Sequence, residues 1–223
     1  MKSDHIQVTS LNDEVYNRLK YQITHAQIAP GEKISIRQIA EAFGVSTMPV
    51  REALRKLQAE GFVQFETRSV IVRSLSQQEV KEIFAIRERL ECLATEWAIG
   101  QVKPEDIKAL RETLAAMDEE EVGLSDWQRM NREFHLQLYE LSGSAKLIHL
   151  ITNVWDMVEP YMHIYTSSVT SLQTAQIQHH EMLELVEQGE LEELLAWIRG
   201  HLSYTCEVIL KALPSPSNHA SQG

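Results

Sequence analysis

Several things are scarce in this chain. No uninterrupted apolar run approaches the roughly 20 residues that a membrane-spanning helix needs, and the first residues, MKSDHIQVTS, have no apolar core like that of a signal peptide. The expectation is a cytoplasmic protein with no membrane partner. Cysteine is limited to Cys92 and Cys206, far apart inside helical patterns. That excludes a disulfide scaffold and predicts two reduced, buried thiols. No internal repeat is found, and the only low-complexity stretch is the final PSPSNHASQG, expected to be a disordered tail over 214–223.

Positive charge is also short. The net charge is −11, which by itself argues against a nucleic-acid partner. The deficit is uneven. Residues 1–75 carry ten Lys and Arg against eight Asp and Glu, whereas the remainder carries eleven against twenty-four. Phosphate binding needs local positive charge rather than a positive total. The asymmetry predicts two domains with different partners, and 223 residues with 43% apolar and 24% charged side chains suffice for both.

What is present is most informative at Ser46 to Val63, STMPVREALRKLQAEGFV. Ser46 is a small hydroxyl residue suited to a helix N-cap. Pro49 falls in the first turn, where a missing N–H is tolerated. Val50, Ala53, Leu54 and Leu57 mark an apolar face, and Arg51, Arg55 and Lys56 a basic one. Gly61 stands where a C-terminal glycine ends a helix. FVQFE and SVIVR, joined through Thr67 and Arg68, read as a β-hairpin. Upstream, residues 11–28 repeat Leu11, Val15, Leu19, Ile23 and Ala26 at helical spacing until Ala29-Pro30-Gly31. Ser35 and Gln38 then open a short helix that buries Ile36, Ile39, Ala40 and Phe43, and Gly44-Val45 makes the turn into the next. A capped basic helix after a tight turn, followed by a hairpin, is a winged helix-turn-helix, whose second helix enters a DNA major groove.

This segment resembles the winged-helix signature of the GntR family of bacterial repressors, roughly S-R-T-P-V-R-E-A-L-x-x-L-x-x-E-G-L-V. The resemblance implies that Arg37, Ser46, Thr47, Met48 and Arg51 face operator DNA, with Arg68 a phosphate contact from the wing. Arginine on a recognition helix forks onto guanine O6 and N7, and Ser46 with nearby amides suits a phosphate. Two departures matter. Thr47 and Met48 replace the family's usual Arg-Thr, so one guanidinium is missing and Met48 is placed to touch a thymine methyl. Ser69 stands where the wing usually has glycine.

From residue 77 onward every segment reads helical: 77–99 with Ile83, Phe84, Ile86, Leu90, Leu93 and Trp97; Pro104 to about 120; 124–141; 145–165, with a kink expected at Pro160; 170–188; and 191–212. The predicted fold is mainly α. A winged helix-turn-helix over 1–75 (three helices and a hairpin wing) precedes an all-α six-helix bundle over 76–213. Three of the bundle's helices aim a histidine inward. His135 shares a face with Trp127, Phe134 and Leu138. His179 lies in register with Leu172, Leu183 and Val186, and His201 with Leu194 and Ile198. Inward imidazoles from facing helices build metal sites in bundles; zinc, nickel, iron or copper suits neutral imidazole, and zinc or nickel is expected. Hydrogen-bonded core histidines are the alternative.

Residues 78–212 are similar to the FCD domain, the helical effector domain of the FadR subgroup of GntR regulators. Its metal-binding members show D-x-x-x-H, then a histidine before a G-D turn, then a final histidine. The resemblance implies Asn131, His135, His179 and His201 as ligands of a divalent transition metal, with Asn131 replacing the aspartate. It also implies Arg87 as a receptor for a small carboxylate effector. Arg87 and Glu91 equally suit a surface pair at i,i+4.

The function expected is that of a homodimeric, metabolite-responsive transcriptional regulator of palindromic operator DNA. The alternatives are a metal-responsive repressor or a metal-dependent hydrolase or oxygenase. An enzyme is disfavoured because no general base shares a face with the histidines: Asn131 stands where a carboxylate is wanted, and neither Glu133 nor Glu181 shares that face.

Overall fold

The computed structural model describes residues 11–67, 69–119, 122–168 and 172–213, with side chains except at 163–168, 172–174 and 212. The chain forms two compact units, Met1–Leu75 and Ser76–Gly223. Arg68, the His163 side chain and the tail at 214–223 lie outside the described residues.

In the first unit, helix α1 spans Leu11–Thr24 and buries Val15, Tyr16, Leu19 and Ile23. It stops earlier than the periodicity suggests. The Thr24 hydroxyl turns back onto the Lys20 carbonyl at 3.0 Å, and Ala26 takes a left-handed conformation, φ 52°. Strand β1, Lys33–Ile34, follows. Two residues are too short for an alternation signal, so sequence reasoning missed it. Helix α2 is Ile36–Phe43, N-capped by the Ser35 hydroxyl, which accepts from the Gln38 amide. Gly44, φ 67°, closes that helix in the left-handed region where a side chain is strained. Helix α3 is Thr47–Ala59 and buries Val50, Ala53, Leu54 and Leu57. Strands β2, Val63–Phe65, and β3, Val70–Val72, pair antiparallel, with Val63 opposite Val72. Strand β1 adds to the other edge of β3, giving the order β1-β3-β2. The hairpin is thus anchored to the segment before α2 as well as to itself. One apolar cluster runs from α1 through α3 into the sheet.

Among the described residues of the second unit, every regular element is a helix. Its helices are α4 (Gln77–Ala98), α5 (Pro104–Met117), α6 (Leu124–Glu140), α7 (Ala145–Ser168), α8 (Leu172–Gln188) and α9 (Leu191–Ala212), with a 3-10 turn at Ile99–Gln101. Ser76 and Glu79 form a reciprocal capping box at the start of α4. Pro104 opens α5. Helix α4 packs against α6, α7 and α9, while α5 packs against α6 and α8. The face of α4 departs from expectation. Val80, Ile83, Phe84, Cys92, Ala94 and Ala98 are buried, but Ile86 is 50% and Trp97 49% exposed, with Leu90 and Leu93 partly covered between them. These four recur at i, i+4, i+7 and i+11, an apolar stripe on the outside of the unit. Among the described residues no helix is long and apolar enough to cross a membrane.

Candidate functional site

In the first unit, α3 presents Thr47, Met48 and Arg51 to solvent. Met48 is 63% exposed. Pro49 is buried and holds the first turn against the core. Ser46 occupies the N-cap in extended conformation, but its side chain makes no capping bond. The expected capping role is therefore not taken, and its hydroxyl is exposed. A groove between α2, α3 and the sheet is lined by Lys33, Arg37, Thr47, Arg51, Thr67 and Ser69, among others. Among the described residues neither Arg37 nor Arg51 is ion-paired, so both guanidiniums are available to phosphate or base. Arg55, in contrast, is paired with Glu52 at 3.1 Å. The wing is closed by Glu66, whose amide donates to the Ser69 carbonyl at 2.8 Å. Its carboxylate accepts from the Ser69 hydroxyl at 3.0 Å. The serine that replaces glycine thus serves the turn.

The far end of α3 is tied to α1. The Tyr16 hydroxyl donates to the Glu60 carboxylate at 2.6 and 2.8 Å, and the Lys56 ammonium lies 3.8 Å from the Tyr16 ring centroid. Burial and the Glu60 carboxylate push the phenol up to about 12. These contacts hold the recognition helix at a set angle to α1.

In the second unit three histidines from α6, α8 and α9 converge. The ring centroids of His135 and His179 are 5.2 Å apart, those of His135 and His201 5.7 Å, and those of His179 and His201 6.1 Å. Each ring rests near a tryptophan: His179 by Trp127 at 5.8 Å, His135 by Trp155 at 6.4 Å, and His201 stacked on Trp197 at 4.9 Å. His135 Nδ1 and both nitrogens of His179 are buried with no hydrogen-bond partner. His201 Nδ1 meets Gln178 Oε1 at 3.3 Å, a contact that leaves Nε2 as the unprotonated nitrogen. Desolvation keeps all three neutral. It holds His135 well below the usual imidazole range and pushes His179 down to about 3 and His201 to about 4. Neighbouring imidazoles add to the effect for His135 and His179, and the Arg87 guanidinium for His201. Hydrogen-bonded core histidines, the alternative reading, do not describe His179.

The pocket wall also carries Asn131, Arg87, Glu91, Gln128 and Arg132. Arg87 Nε donates to Glu91 Oε1 at 2.8 Å. This is the i,i+4 pair, but it is a buried one rather than a surface pair. Glu91 also accepts from the Tyr139 hydroxyl at 3.0 Å and from Trp155 Nε1 at 2.7 Å. Sequence reasoning found no carboxylate near the histidines. Glu91 is one, although three donors already engage it. The free space amounts to about 50 Å³, room for roughly three or four waters.

Residues 11–72 match the bacterial regulatory proteins of the gntR family, and residues 82–204 match the FCD domain. The HTH-type transcriptional regulator YdhC of Bacillus subtilis is 31% identical over 201 residues, covering 87% of this chain and 88% of its own. The HTH-type transcriptional repressor GlaR of Escherichia coli is 27% identical over 217 residues, covering 92% and 98%. The solved structure of McbR/YncC from E. coli superimposes with a TM-score of 0.79 at 25% identity, covering 91% and 98%. The chain belongs to the GntR family.

This GntR regulator therefore carries a helix-turn-helix DNA-binding domain and an FCD effector domain, and its relatives are regulators rather than enzymes. Arg37, Thr47 and Arg51 meet in one groove, with Ser46 and Met48 exposed at the same helix end. Asn131, His135, His179, His201 and Arg87 meet in one pocket. His180, His179's neighbour, points outward and meets Asp118 at 2.9 Å. Among the described residues no three His, Cys, Asp or Glu side chains are already spaced to hold a metal ion. The histidines are grouped without forming a finished ligand set. Their chemistry nevertheless suits one: they are neutral, buried and short of hydrogen-bond partners. Lys33, Arg132, Trp155 and Trp197 escaped the sequence reading, which had Glu91 only as a surface partner of Arg87 and Trp127 only as an apolar neighbour of His135. Lys33 could have been flagged as a cation just before α2. The others have no local signal.

Proposed function

We propose that this regulator binds palindromic operator DNA as a cytoplasmic homodimer and responds to a small carboxylate effector in a metal-centred pocket of its FCD domain. Three buried ring nitrogens of His135 and His179 without hydrogen-bond partners carry this reading. Each such group is destabilising by roughly 1–3 kcal/mol unless something engages it. Asn131, His135, His179 and His201 would hold a divalent transition metal, zinc or nickel. A bound ion supplies positive charge and open positions to a carboxylate. Arg87, fixed by Glu91, adds a permanent cation to the wall. In the reading head, Arg37 and Arg51 supply guanine or phosphate contacts, Ser46 and Thr47 phosphate contacts, and Met48 an apolar contact. Arg68 stands as the wing's phosphate contact.

The Ile86, Leu90, Leu93 and Trp97 stripe supports the dimer, because a second copy is the partner of matching shape for an isologous contact. A dimer holds two reading heads at one separation, so an effector that alters that separation alters operator affinity. A second reading is a metal-responsive repressor, favoured by the small cavity: about 50 Å³ takes an ion with a few waters more readily than a large metabolite. Operator binding titrated with zinc, then with small organic acids at fixed zinc, separates the two. A response complete with zinc alone selects the metal sensor, and a response that needs an acid selects the metabolite sensor.

A further inference from the structure

Arg132 lies on α6, one residue after Asn131 and three before His135, and lines the pocket. Its Nη2 donates to Asp156 Oδ1 at 2.8 Å and its Nη1 to Glu159 Oε2 at 3.3 Å. Its guanidinium covers the Trp155 ring at 5.2 Å from the centroid. Two carboxylate oxygens thus engage two arms of one guanidinium, the arrangement a single ligand carboxylate also presents.

The two arginines of the pocket differ in what their release would leave behind. Arg87 cannot leave Glu91 without stranding a carboxylate that is 2% exposed, the expensive way to break a buried pair. Asp156 and Glu159 keep 17% and 24% of their side-chain surface in solvent, so water can replace Arg132. The position of these acids on α7 also matters. Pro160 sits inside the helix and has no N–H for the Asp156 carbonyl four residues earlier. The Arg132 clamp therefore grips α7 on the turn where its own hydrogen bonding is weakest.

We propose that Arg132 is the exchangeable carboxylate receptor of this pocket. An acid entering beside the histidines takes the guanidinium from Asp156 and Glu159 and loosens α7 at Pro160. The assignment rests on reading the pocket as an effector site. Arg87 provides constant positive charge, and Arg132 provides selection and transmission.

The test uses the full chain and glycolate, a small carboxylate, with its uncharged twin glycolamide as control. Zinc uptake is measured first, then acid binding by tryptophan fluorescence, since Trp155 lies against Arg132. Glycolate should bind about tenfold or more tightly than glycolamide. Arg132→Gln should lose that preference while zinc affinity stays unchanged. Asp156→Asn with Glu159→Gln, which frees Arg132, should tighten glycolate binding. Hydrogen exchange over residues 157–162 should rise both with glycolate and in Arg132→Gln. Equal glycolate affinity in Arg132→Gln and wild type, weaker binding in the freed-arginine variant, unchanged exchange, or no glycolate binding by wild type each overturns the proposal. Failure to take up zinc counts against the metal reading alone, and the same titration on metal-free protein then decides Arg132.

Discussion

His135 and His179 meet edge to face with ring centroids 5.2 Å apart, and three of their four ring nitrogens are buried without a hydrogen-bond partner. Folded domains rarely leave such groups unengaged. Metal-free protein should therefore take up zinc or nickel with a change in tryptophan fluorescence, because Trp127, Trp155 and Trp197 all adjoin the histidines. His179→Ala with His201→Ala should lower affinity by more than the roughly 10–100-fold that losing an outer-shell partner brings. Equal metal content in the double variant and wild type, measured by elemental analysis, removes the site.

Asn131 faces the same pocket with an amide where a carboxylate would add charge. Asn131→Asp should tighten zinc binding by about tenfold or more, since a carboxylate attracts a divalent cation and an amide does not. A competition titration against a chelator of known affinity checks this. Weaker binding in the variant places residue 131 outside the ligand set.

Acid should destabilise the metal-free protein through the same histidines. Their folded-state values lie below the ordinary 6.5, at about 3 for His179 and about 4 for His201. The unfolded chain therefore takes up protons first. Stability is complete above pH 6.5 and falls as pH drops toward 4 and then 3, by up to about 1.4 kcal/mol per pH unit for each group. Denaturant titrations between pH 7.5 and 4.5 with chelator present should show this loss. His179→Leu should flatten the slope, and an unchanged slope argues against a neutral buried His179.

Arg51 is exposed in the reading groove, and no ion pair among the described residues restrains it. Arg51→Ala should weaken binding to the cognate operator by about 1–3 kcal/mol while changing binding to random DNA far less. A parallel loss on both DNAs makes Arg51 a phosphate contact instead. Undiminished specific binding takes it out of the interface.

The stripe on α4 exposes Ile86 and Trp97 at about half their surface. If a second copy covers it, Ile86→Glu with Trp97→Glu should give a monomer mass by light scattering, because each buried large apolar side chain contributes roughly 1.5–3 kcal/mol. Operator affinity should fall in step. A dimer that survives both changes lies on another face.

The fold was legible where its causes are local. The breaks at Pro30-Gly31 and Gly44, the Ser35 cap and the 3.6-residue periods of the six later helices are written within a few residues of where they act. Boundaries slipped where a side chain intervened, as when Thr24 turned back on the end of α1. The two-residue β1 was invisible because its pairing partners, Val70 and Ile71, lie 36 and 38 positions away. On α4, periodicity marked Ile86 and Trp97 as apolar without saying what covers them, and the bundle leaves both outside. At the site, helical register correctly turned His135, His179 and His201 inward. Glu91 and Arg132 read as ordinary charged residues of a helix, because their partners Tyr139, Trp155, Asp156 and Glu159 sit on other helices.

By itself the sequence determined the class of protein. A basic helix, its turn and its wing are contiguous, and the acidic excess confined to residues 76 onward separates a DNA reader from a domain with another task. Only the tertiary structure decided how the second domain's side chains meet. Each imidazole's direction follows from its own helix. The 5.2–6.1 Å grouping of the three rings, the burial of Glu91 and the clamp on Arg132 depend on how α4, α6, α7, α8 and α9 pack. Periodicity within one helix constrains which way a residue faces, and only packing between helices sets what it faces.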